Sequence, residues 1–311
     1  LFTARSKNWI VDHYKDHPKQ PFFMYLAYDT PHAPQQIPTT SHLTAESNYP
    51  EGGGLNGGIQ WNEGRKGGQI NTAKGNIDKG MHPAFMNRVG DDGKPWPGHA
   101  IRHATMIRRI GDAVVDIVQL LKDLGIDEKT LIVFTSDNGT HRAGGNRPDY
   151  FDTFGPYDGQ KRDMWEGGVR MPTFLRWPSV IAAESKSDVP SQFHDWMATF
   201  CDLAGVKPPA LGDGVSLVPT LTGRGNQARS TVYSEFLGGW ATQPYEEFEP
   251  SRRGRKRGQM QSILIGDYKG VRVNIQNHQD VFEVYHTLDD PKESTDLAGK
   301  AGVPTQQHFQ A

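Results

Sequence analysis

Apolar residues recur at helical spacing in three segments of the chain, residues 5–16, 101–124 and 191–204. Each segment predicts an amphipathic helix, because side chains three and four positions apart lie on one helical face. The middle segment is the longest, and Gly125 follows it, as is common just past a helix terminus. Its apolar face consists of Met106, Ile110, Ala113, Val114, Ile117, Leu121 and Leu124.

Short continuous apolar runs predict buried strands at residues 21–28, 131–134 and 173–177. The first run ends in turn residues, and the third is stopped by Pro178. Helices that alternate with such strands favour an α/β fold, built on a mixed, largely parallel sheet flanked by helices.

Two regions depart from this alternation. Residues 44–98 contain many glycines, few aliphatic residues and no periodicity, which is typical of an insertion. After about residue 228, short runs at 262–265 and 281–285 predict antiparallel strands of a smaller α+β lobe. We therefore expect the chain to divide into residues 1–228 and residues 229–311.

Composition narrows the functional classes. The 311 residues are 35% hydrophobic, which is enough for a large core. Thirty-four basic and 36 acidic residues give a net charge of -2, so nothing attracts the whole chain to nucleic acid or to an anionic membrane. No apolar run approaches the ~20 residues needed to span a bilayer. Cys201 is the single cysteine, which excludes an internal disulfide framework.

The chain begins at Leu1, and no secretory signal pattern follows. Two interpretations fit this start: a processed mature chain, or a piece of a longer one.

Two of the predicted strands end in turns that carry reactive side chains. The first turn is Thr30-Pro31-His32, and the second is Ser136-Asp137-Asn138-Gly139. Ligands gather at the carboxyl ends of strands in open α/β sheets, so we expect both turns at one sheet edge. Asp137 and Asn138 offer hard oxygen donors that suit Ca²⁺ or Mg²⁺. Two donors cannot complete a calcium shell, and Asp-Asn-Gly alone is also a common turn sequence.

Three longer motifs contain these turns and follow one another in a particular order. They are Pro-Phe-Phe-x-Tyr-Leu-Ala-Tyr-x-x-Pro-His at 21–32, Phe-Thr-Ser-Asp-Asn-Gly at 134–139, and Lys-x4-Glu-Gly-Gly-Val-Arg-x-Pro-x4-Trp-Pro at 161–178. Shorter ones follow at 213–217, 266–269 and 290–298. This order resembles the sulfatase family, which belongs to the alkaline-phosphatase-like superfamily.

The resemblance implies a sulfuric ester hydrolase that acts on a sulfated sugar or an aryl sulfate, in the periplasm or outside the cell. Asp137 and Asn138 match the second pair of ligands to one divalent cation, usually Ca²⁺, with Mg²⁺ fitting less well. His32 matches a histidine that protonates the leaving oxygen, and Lys161 matches a lysine that contacts the sulfate oxygens. Both would be catalytic and substrate-binding residues. Without the other motifs, His32 would be an ordinary loop histidine and Lys161 a solvated lysine.

The same resemblance indicates what the chain lacks. The family nucleophile is a formylglycine made from a Cys/Ser-x-Pro-x-Arg sequence, and Cys201 lies in Phe-Cys-Asp-Leu-Ala instead. The family's first pair of metal-binding aspartates and its Lys-x-His segment are also absent. We therefore expect a piece that begins inside the catalytic domain and needs its own N-terminal segment as a partner. Alone, it should bind calcium weakly and hydrolyse no sulfate ester.

Two other functions stay open. A phosphoryl-transfer member of the superfamily would commonly have Asp-His-Gly with two metals, where this chain has Asn138. A sulfatase-like protein without catalysis would bind its ligand only.

Two further segments have two interpretations each, and one pair of residues has a structural one. The basic run at 252–257 could attract a sulfated polymer or be a solvated loop. The insertion could border the pocket and offer Trp61 or Trp96 to a sugar, or be an irrelevant excursion. Glu166 and Arg170 should form a structural ion pair beside Gly167 and Gly168.

Overall fold

The computed structural model describes residues 2–32 and 81–310. These residues form two compact units, which are described separately. The first comprises Leu1–Thr130 and Arg142–Arg147, and the second comprises Leu131–His141 and Pro148–Ala311. No helix in the described ranges is both long enough and apolar enough to cross a bilayer.

The described part of the first unit contains helices and one extended segment. It contains α1 (Phe2–Asp16), α2 (Pro83–Met86) and α3 (Gly98–Asp123), so the two long helices predicted here are confirmed. Helix α3 begins after Pro97, and its end is followed by Gly125 at φ +69°. A buried ion pair joins α1 to α3, with Lys7 Nζ 2.5 Å from Asp116 Oδ1.

The buried strand predicted at residues 21–28 is not present as such. The segment is extended but belongs to no ladder of the described residues, and every second side chain is exposed. Phe23 and Tyr25 are 66% and 79% exposed, whereas Tyr28 accepts or donates a 2.7 Å hydrogen bond with Thr3 of α1. Burial on both faces needs a layer of structure packed on each face of a sheet, and among the described residues this segment has neither a ladder partner nor cover for its exposed face.

The described part of the 44–98 insertion packs locally within the first unit. Trp96 stacks on Phe85 of α2, with ring centroids 5.9 Å apart, beside Met81, Ile101 and Met106. The rest of the insertion, including Trp61, lies outside the described residues. Its role at a pocket stays a prediction.

The second unit opens with a two-stranded sheet. Strand β1 (Ile132–Thr135) pairs antiparallel with β2 (Thr173–Arg176), and these are the second and third strands predicted from the sequence. Parallel pairing occurs in none of the described ladders. The reason lies in the β1–β2 connection, whose only α-helix is the four-residue α4 (Glu166–Val169). A parallel return normally runs through a crossover helix long enough to pack on the sheet, and this connection has none.

Helix α5 (Phe193–Leu203) confirms the third predicted helix, and α6 (Val218–Thr222) follows it. Trp196, Leu217 and Leu221 form a small core here, against which partly buried residues of both strands pack. Cys201 lies in α5, is half-buried and forms no disulfide.

The carboxyl-terminal part of the second unit is a four-stranded antiparallel meander, and the antiparallel strands predicted for this lobe are confirmed. Its strands are β3 (Tyr233–Ala241), β4 (Lys256–Ile265), β5 (Tyr268–Arg272) and β6 (Glu283–His286), and α7 (Gln306–Gln310) packs beside it. Met164 and Trp165, from the β1–β2 connection, are buried against Met260, Val271 and Tyr285 of this sheet. The connection that carries Lys161 is therefore anchored on the meander.

Candidate active site

The Asp-Asn-Gly turn lies directly after β1, and backbone contacts hold it against the Glu-Gly-Gly segment. The amide N–H of Gly139 donates to the carbonyl oxygen of Gly168 at 3.0 Å. A Cβ atom at Gly139 would lie 2.0 Å from the carbonyl oxygen of Gly167, so no larger residue fits without backbone movement. The Asp-Asn-Gly turn and the Glu-Gly-Gly segment, which are separate in sequence, therefore pack directly against each other through their backbones.

Lys161 joins the same structure. Its amide N–H donates to the carbonyl oxygen of Thr140 at 2.7 Å, next to Asp137-Asn138-Gly139. The turn is closed by Asp163, whose side chain accepts a 3.0 Å hydrogen bond from the amide of Gln160. The structure thus brings the turns of Asp137, Asn138 and Lys161 together.

His32 lies in the first unit, at the end of the extended segment. Its amide N–H donates to the carbonyl oxygen of Asp29 at 3.0 Å, and its side chain is exposed. Convergence of His32 with the three residues of the second unit stays a prediction.

The donor chemistry of the turn fits a hard cation in part. The Nδ2 atom of Asn138 donates to the carbonyl oxygen of Gly139 at 2.9 Å, which leaves its Oδ1 as an acceptor. The exposed Asp137 adds a carboxylate, which accepts a long 3.4 Å contact from Ser136. Across residues 2–32 and 81–310, no group of three or more His, Cys, Asp or Glu side chains could hold a metal ion. The described residues offer two oxygen donors out of the six to eight that calcium takes.

Two buried carboxylates hold the loop that contains Lys161. The carboxylate of Asp163 accepts hydrogen bonds from Nε and Nη2 of Arg257, at 2.7 and 3.0 Å. It also accepts a 2.7 Å hydrogen bond from the hydroxyl of Thr242. Asp158 receives Nη1 of Arg252 at 3.0 Å. All four charged side chains are almost completely buried.

These pairs correct the interpretation of the basic run at 252–257 as a solvated loop for two of its residues. Arg252 and Arg257 are interior, and Arg255 forms an ion pair with Glu283. Arg252 and Arg257 cannot contact a sulfated polymer, because each is paired with a carboxylate inside the fold, whereas Arg253 and Lys256 of the same run are exposed. The counter-ions of Arg252 and Arg257 lie too far away in sequence to be recognised as partners.

Beneath the Glu-Gly-Gly segment lies a second charged cluster. The expected pair of Glu166 with Arg170 is confirmed at 2.6 Å, and Lys269 Nζ also lies 2.6 Å from Glu166. Glu293 accepts a 2.7 Å hydrogen bond from the amide of Glu166 and lies 3.2 Å from Lys269. Sequence reasoning assigned no role to Lys269 or Glu293, although both lie in motifs that resemble the family.

Burial and charge shift the pKa values of this cluster in opposite directions. Burial acts to raise the pKa of Glu166, but Lys269 and Arg170 outweigh it and lower that pKa to about 2. For Glu293, burial dominates; Lys269 opposes it, Glu166 adds to it, and the pKa rises to about 7. The two carboxylates therefore share one lysine unequally.

An α/β core followed by an antiparallel lobe, with an Asp-Asn-Gly turn at a strand end, is the arrangement of alkaline-phosphatase-like hydrolases. The family model described as Sulfatase matches residues 1–206, and the chain belongs to the sulfatase family. A second model, N-sulphoglucosamine sulphohydrolase, C-terminal, matches residues 153–308.

Individual relatives match parts of the chain. Mouse (Mus musculus) N-acetylgalactosamine-6-sulfatase is 38% identical over 122 residues, which cover 39% of this chain and 23% of that protein. N-acetylglucosamine-6-O-sulfatase of Bacteroides thetaiotaomicron is 31% identical over 194 residues, covering 61% of this chain and 30% of that protein. The chain thus spans less than a third of the length of these curated relatives.

The fold agrees with a solved structure of larger size. The crystal structure of Ps i-CgsB matches with a TM-score of 0.62 and 21% identity, covering 95% of this chain and 49% of that one. At this identity the likeness concerns the fold alone.

Proposed function

We propose that this chain is the carboxyl-terminal part of a sulfuric ester hydrolase and carries half of a single-metal active site. The observation that carries the proposal is the hydrogen bond from Lys161 to Thr140, which couples the lysine turn to the Asp137-Asn138 turn. This coupling brings a lysine and two candidate cation ligands to adjoining turns, and a lysine acting together with a metal would stabilise charge that builds on sulfate oxygens.

Each residue then has a separate role. Asp137 and Asn138 would hold a calcium ion, which when bound polarises the ester as a Lewis acid. Lys161 would bind the sulfate oxygens and keep the ester oriented. His32 would donate a proton to the leaving oxygen, because a departing alkoxide needs a proton donor at neutral pH.

The nucleophile is proposed to come from sequence outside these 311 residues. No Cys/Ser-x-Pro-x-Arg pattern occurs in the chain, and Cys201 lies partly buried within a helix. The extended segment at 21–28 supports this view, since it belongs to no ladder of the described residues and its Phe23 and Tyr25 are exposed, so further parts of the domain can pack on it. By itself the chain is then inactive.

A sulfated carbohydrate is the substrate class we favour. Relatives named for N-acetylgalactosamine and N-acetylglucosamine sulfates support it, as does the binding of k-i-k-neocarrahexaose by Ps i-CgsB. The proposed division at residues 228 and 229 separates a catalytic part from a lobe that supports it. A periplasmic or extracellular site of action would fit a sulfated polysaccharide.

The test uses the full-length protein encoded by the reading frame that contains this chain. It should release phenol from an aryl sulfate much faster than from the matching aryl phosphate. Lys161→Ala should lower kcat by about 10²–10³-fold, as the loss of one preorganised charge donor does elsewhere. Lys186→Ala is the matched control, because Lys186 is exposed in the loop between β2 and α5 of the same unit. Preference for the phosphate, or equal activity of Lys161→Ala and wild type, would overturn the proposal.

A further inference from the structure

Arg162 follows Lys161 in the chain, and its guanidinium lies over the ring of Trp240. The guanidinium carbon is 4.9 Å from the ring centroid, within the range of a cation–π contact. Both residues belong to the second unit, and both are exposed, Trp240 to 67%. Trp240 therefore presents a large aromatic ring to water with a cation held against it, and Trp and Arg are among the residues most enriched where proteins bind their partners.

One buried carboxylate fixes both members of the pair. Asp163 follows Arg162 in the chain, and it receives the hydroxyl of Thr242, two positions after Trp240, at 2.7 Å. Arg257 completes this anchor through its two hydrogen bonds to Asp163. The chain segment next to Arg162 and the chain segment next to Trp240 are therefore both bonded to the buried Asp163–Arg257 ion pair. This preorganises the surface for binding.

The backbone is irregular both at Arg162 and at Trp240. Arg162 has a φ of +81°, a left-handed conformation that costs about 1–2 kcal/mol for a residue with a Cβ atom. Strand β3 contains one extra residue between Gly238 and Ala241 relative to β4, so Trp240 lies in a bulge. Such bulges re-aim side chains and are frequent beside active sites.

We propose that Arg162 and Trp240 form a subsite for the sugar ring next to the sulfated one, and that this ring carries an anionic group. The proposal rests on the proposed function, because Lys161 would hold the scissile sulfate one residue away. The indole ring offers an apolar face to the C–H face of a pyranose. The guanidinium offers a planar fork that binds a carboxylate or a sulfate through two hydrogen bonds.

The two residues thus recognise two different features of the ligand, the sugar ring and the anionic group that it carries. Trp240 should contribute to any sugar at this position, charged or neutral. Arg162 should contribute only where the neighbouring ring carries a carboxylate or sulfate. A purely structural role of the pair would not divide in this way, because it would affect every ligand equally.

The binding test uses the 311-residue chain and two non-chromogenic disaccharides in calorimetry. Both contain 6-O-sulfated N-acetylglucosamine, linked to a uronic acid in one and to neutral galactose in the other. Trp240→Ala should weaken binding of both by about tenfold, and Arg162→Ala that of the uronic acid probe alone, also by about tenfold. Arg162→Lys should lose part of the affinity, and Trp240→Phe should keep most of it. Leu237→Ala is the control, since Leu237 is an exposed residue of the same strand.

Kinetics of the full-length protein separate a failure of this proposal from a failure of the proposed function. For Trp240→Ala, the ratio of kcat/KM on the uronic acid disaccharide to that on an aryl sulfate should fall about tenfold, mainly through KM. An aryl sulfate that is never cleaved refutes the proposed function, whereas the calorimetry still decides on the subsite. Equal affinity of wild type and both alanine variants, or equal losses on both probes for Arg162→Ala, would overturn the subsite.

Discussion

Glu166 and Lys269 lie 103 residues apart in sequence and meet in an ion pair of 2.6 Å in the interior of the second unit. The pair connects the Glu-Gly-Gly segment, which packs on the Asp-Asn-Gly turn, to strand β5 of the meander. The candidate site is therefore supported from the carboxyl-terminal lobe.

Loss of that pair should destabilise the fold. Lys269→Met leaves Glu166 and Glu293 buried with less compensating charge, so we expect a decrease of about 3–5 kcal/mol in the free energy of unfolding. Urea denaturation measures it, with Lys256→Met, an exposed lysine of β4, as control. A loss below about 1 kcal/mol, no larger than for ordinary surface changes, would mean that the pair is dispensable.

Glu293 should make stability depend on pH. Its pKa is raised from an ordinary 4.5 to about 7, so the folded state keeps a proton that the unfolded chain releases. This contribution is complete below pH 4.5 and is lost as the pH rises to about 7. Glu166 acts in the opposite sense, since its contribution is lost only as the pH falls from 4.5 towards about 2.

The measurement compares urea midpoints at pH 5 and pH 7. Wild type should lose more stability between them than Glu293→Gln, whose neutral amide can still accept the hydrogen bond from Glu166. Glu247→Gln, at an exposed position, should behave as wild type. An identical pH dependence for wild type and Glu293→Gln would contradict the raised pKa.

Gly139 should tolerate no side chain. An alanine Cβ would meet the carbonyl oxygen of Gly167 at 2.0 Å, and both partners are backbone, so the Asp137 turn must move away. We expect Gly139→Ala to lose at least about 2 kcal/mol of stability, in the range of strain at overpacked positions. In α3, Gly111 has no atom near its missing Cβ, so Gly111→Ala should instead stabilise by about 0.5–1 kcal/mol. Thermal unfolding distinguishes the two, and equal stability of Gly139→Ala and wild type would refute the contact.

His32 should matter in proportion to how poor the leaving group is. A proton donor contributes most when the departing oxygen is basic and little when it is a nitrophenolate. In the full-length protein, His32→Ala should lower kcat on an alkyl or sugar sulfate by about 10²–10⁴-fold and much less on nitrophenyl sulfate. His17→Ala, an exposed histidine after α1, is the control. Equal losses on both substrates would assign His32 a role other than proton donation.

Local patterns predicted the helices well, because the apolar face of a helix is formed by residues only three and four positions apart. The predicted helix at 101–124 and the observed Gly98–Asp123 differ by three residues at most. The segment 21–28 was predicted wrongly, since apolar character reveals burial but not the partner strand. Arg252 and Arg257 were also missed, because their counter-ions Asp158 and Asp163 lie 94 residues away.

In the candidate site, too, local motifs could be predicted from the sequence and contacts between distant segments could not. The turn at Asp137 and Asn138 and the loop of Lys161 were recognisable as motifs, and the structure adds their backbone contacts. The Trp240 bulge had no sequence signal of its own. It depends on a register shift between two strands, which only pairing reveals.

The central claim is that this chain holds half of a sulfate ester hydrolase site, completed by sequence outside it. The most direct measurement compares the purified 311-residue chain with the full-length protein on an aryl sulfate, with and without a calcium chelator. Full-length protein should release phenol in a chelator-sensitive manner, and the chain alone should not exceed the protein-free background. Sustained turnover by the chain alone, free of contaminating sulfatase, would contradict the account, as would a full-length protein that cleaves no sulfate ester.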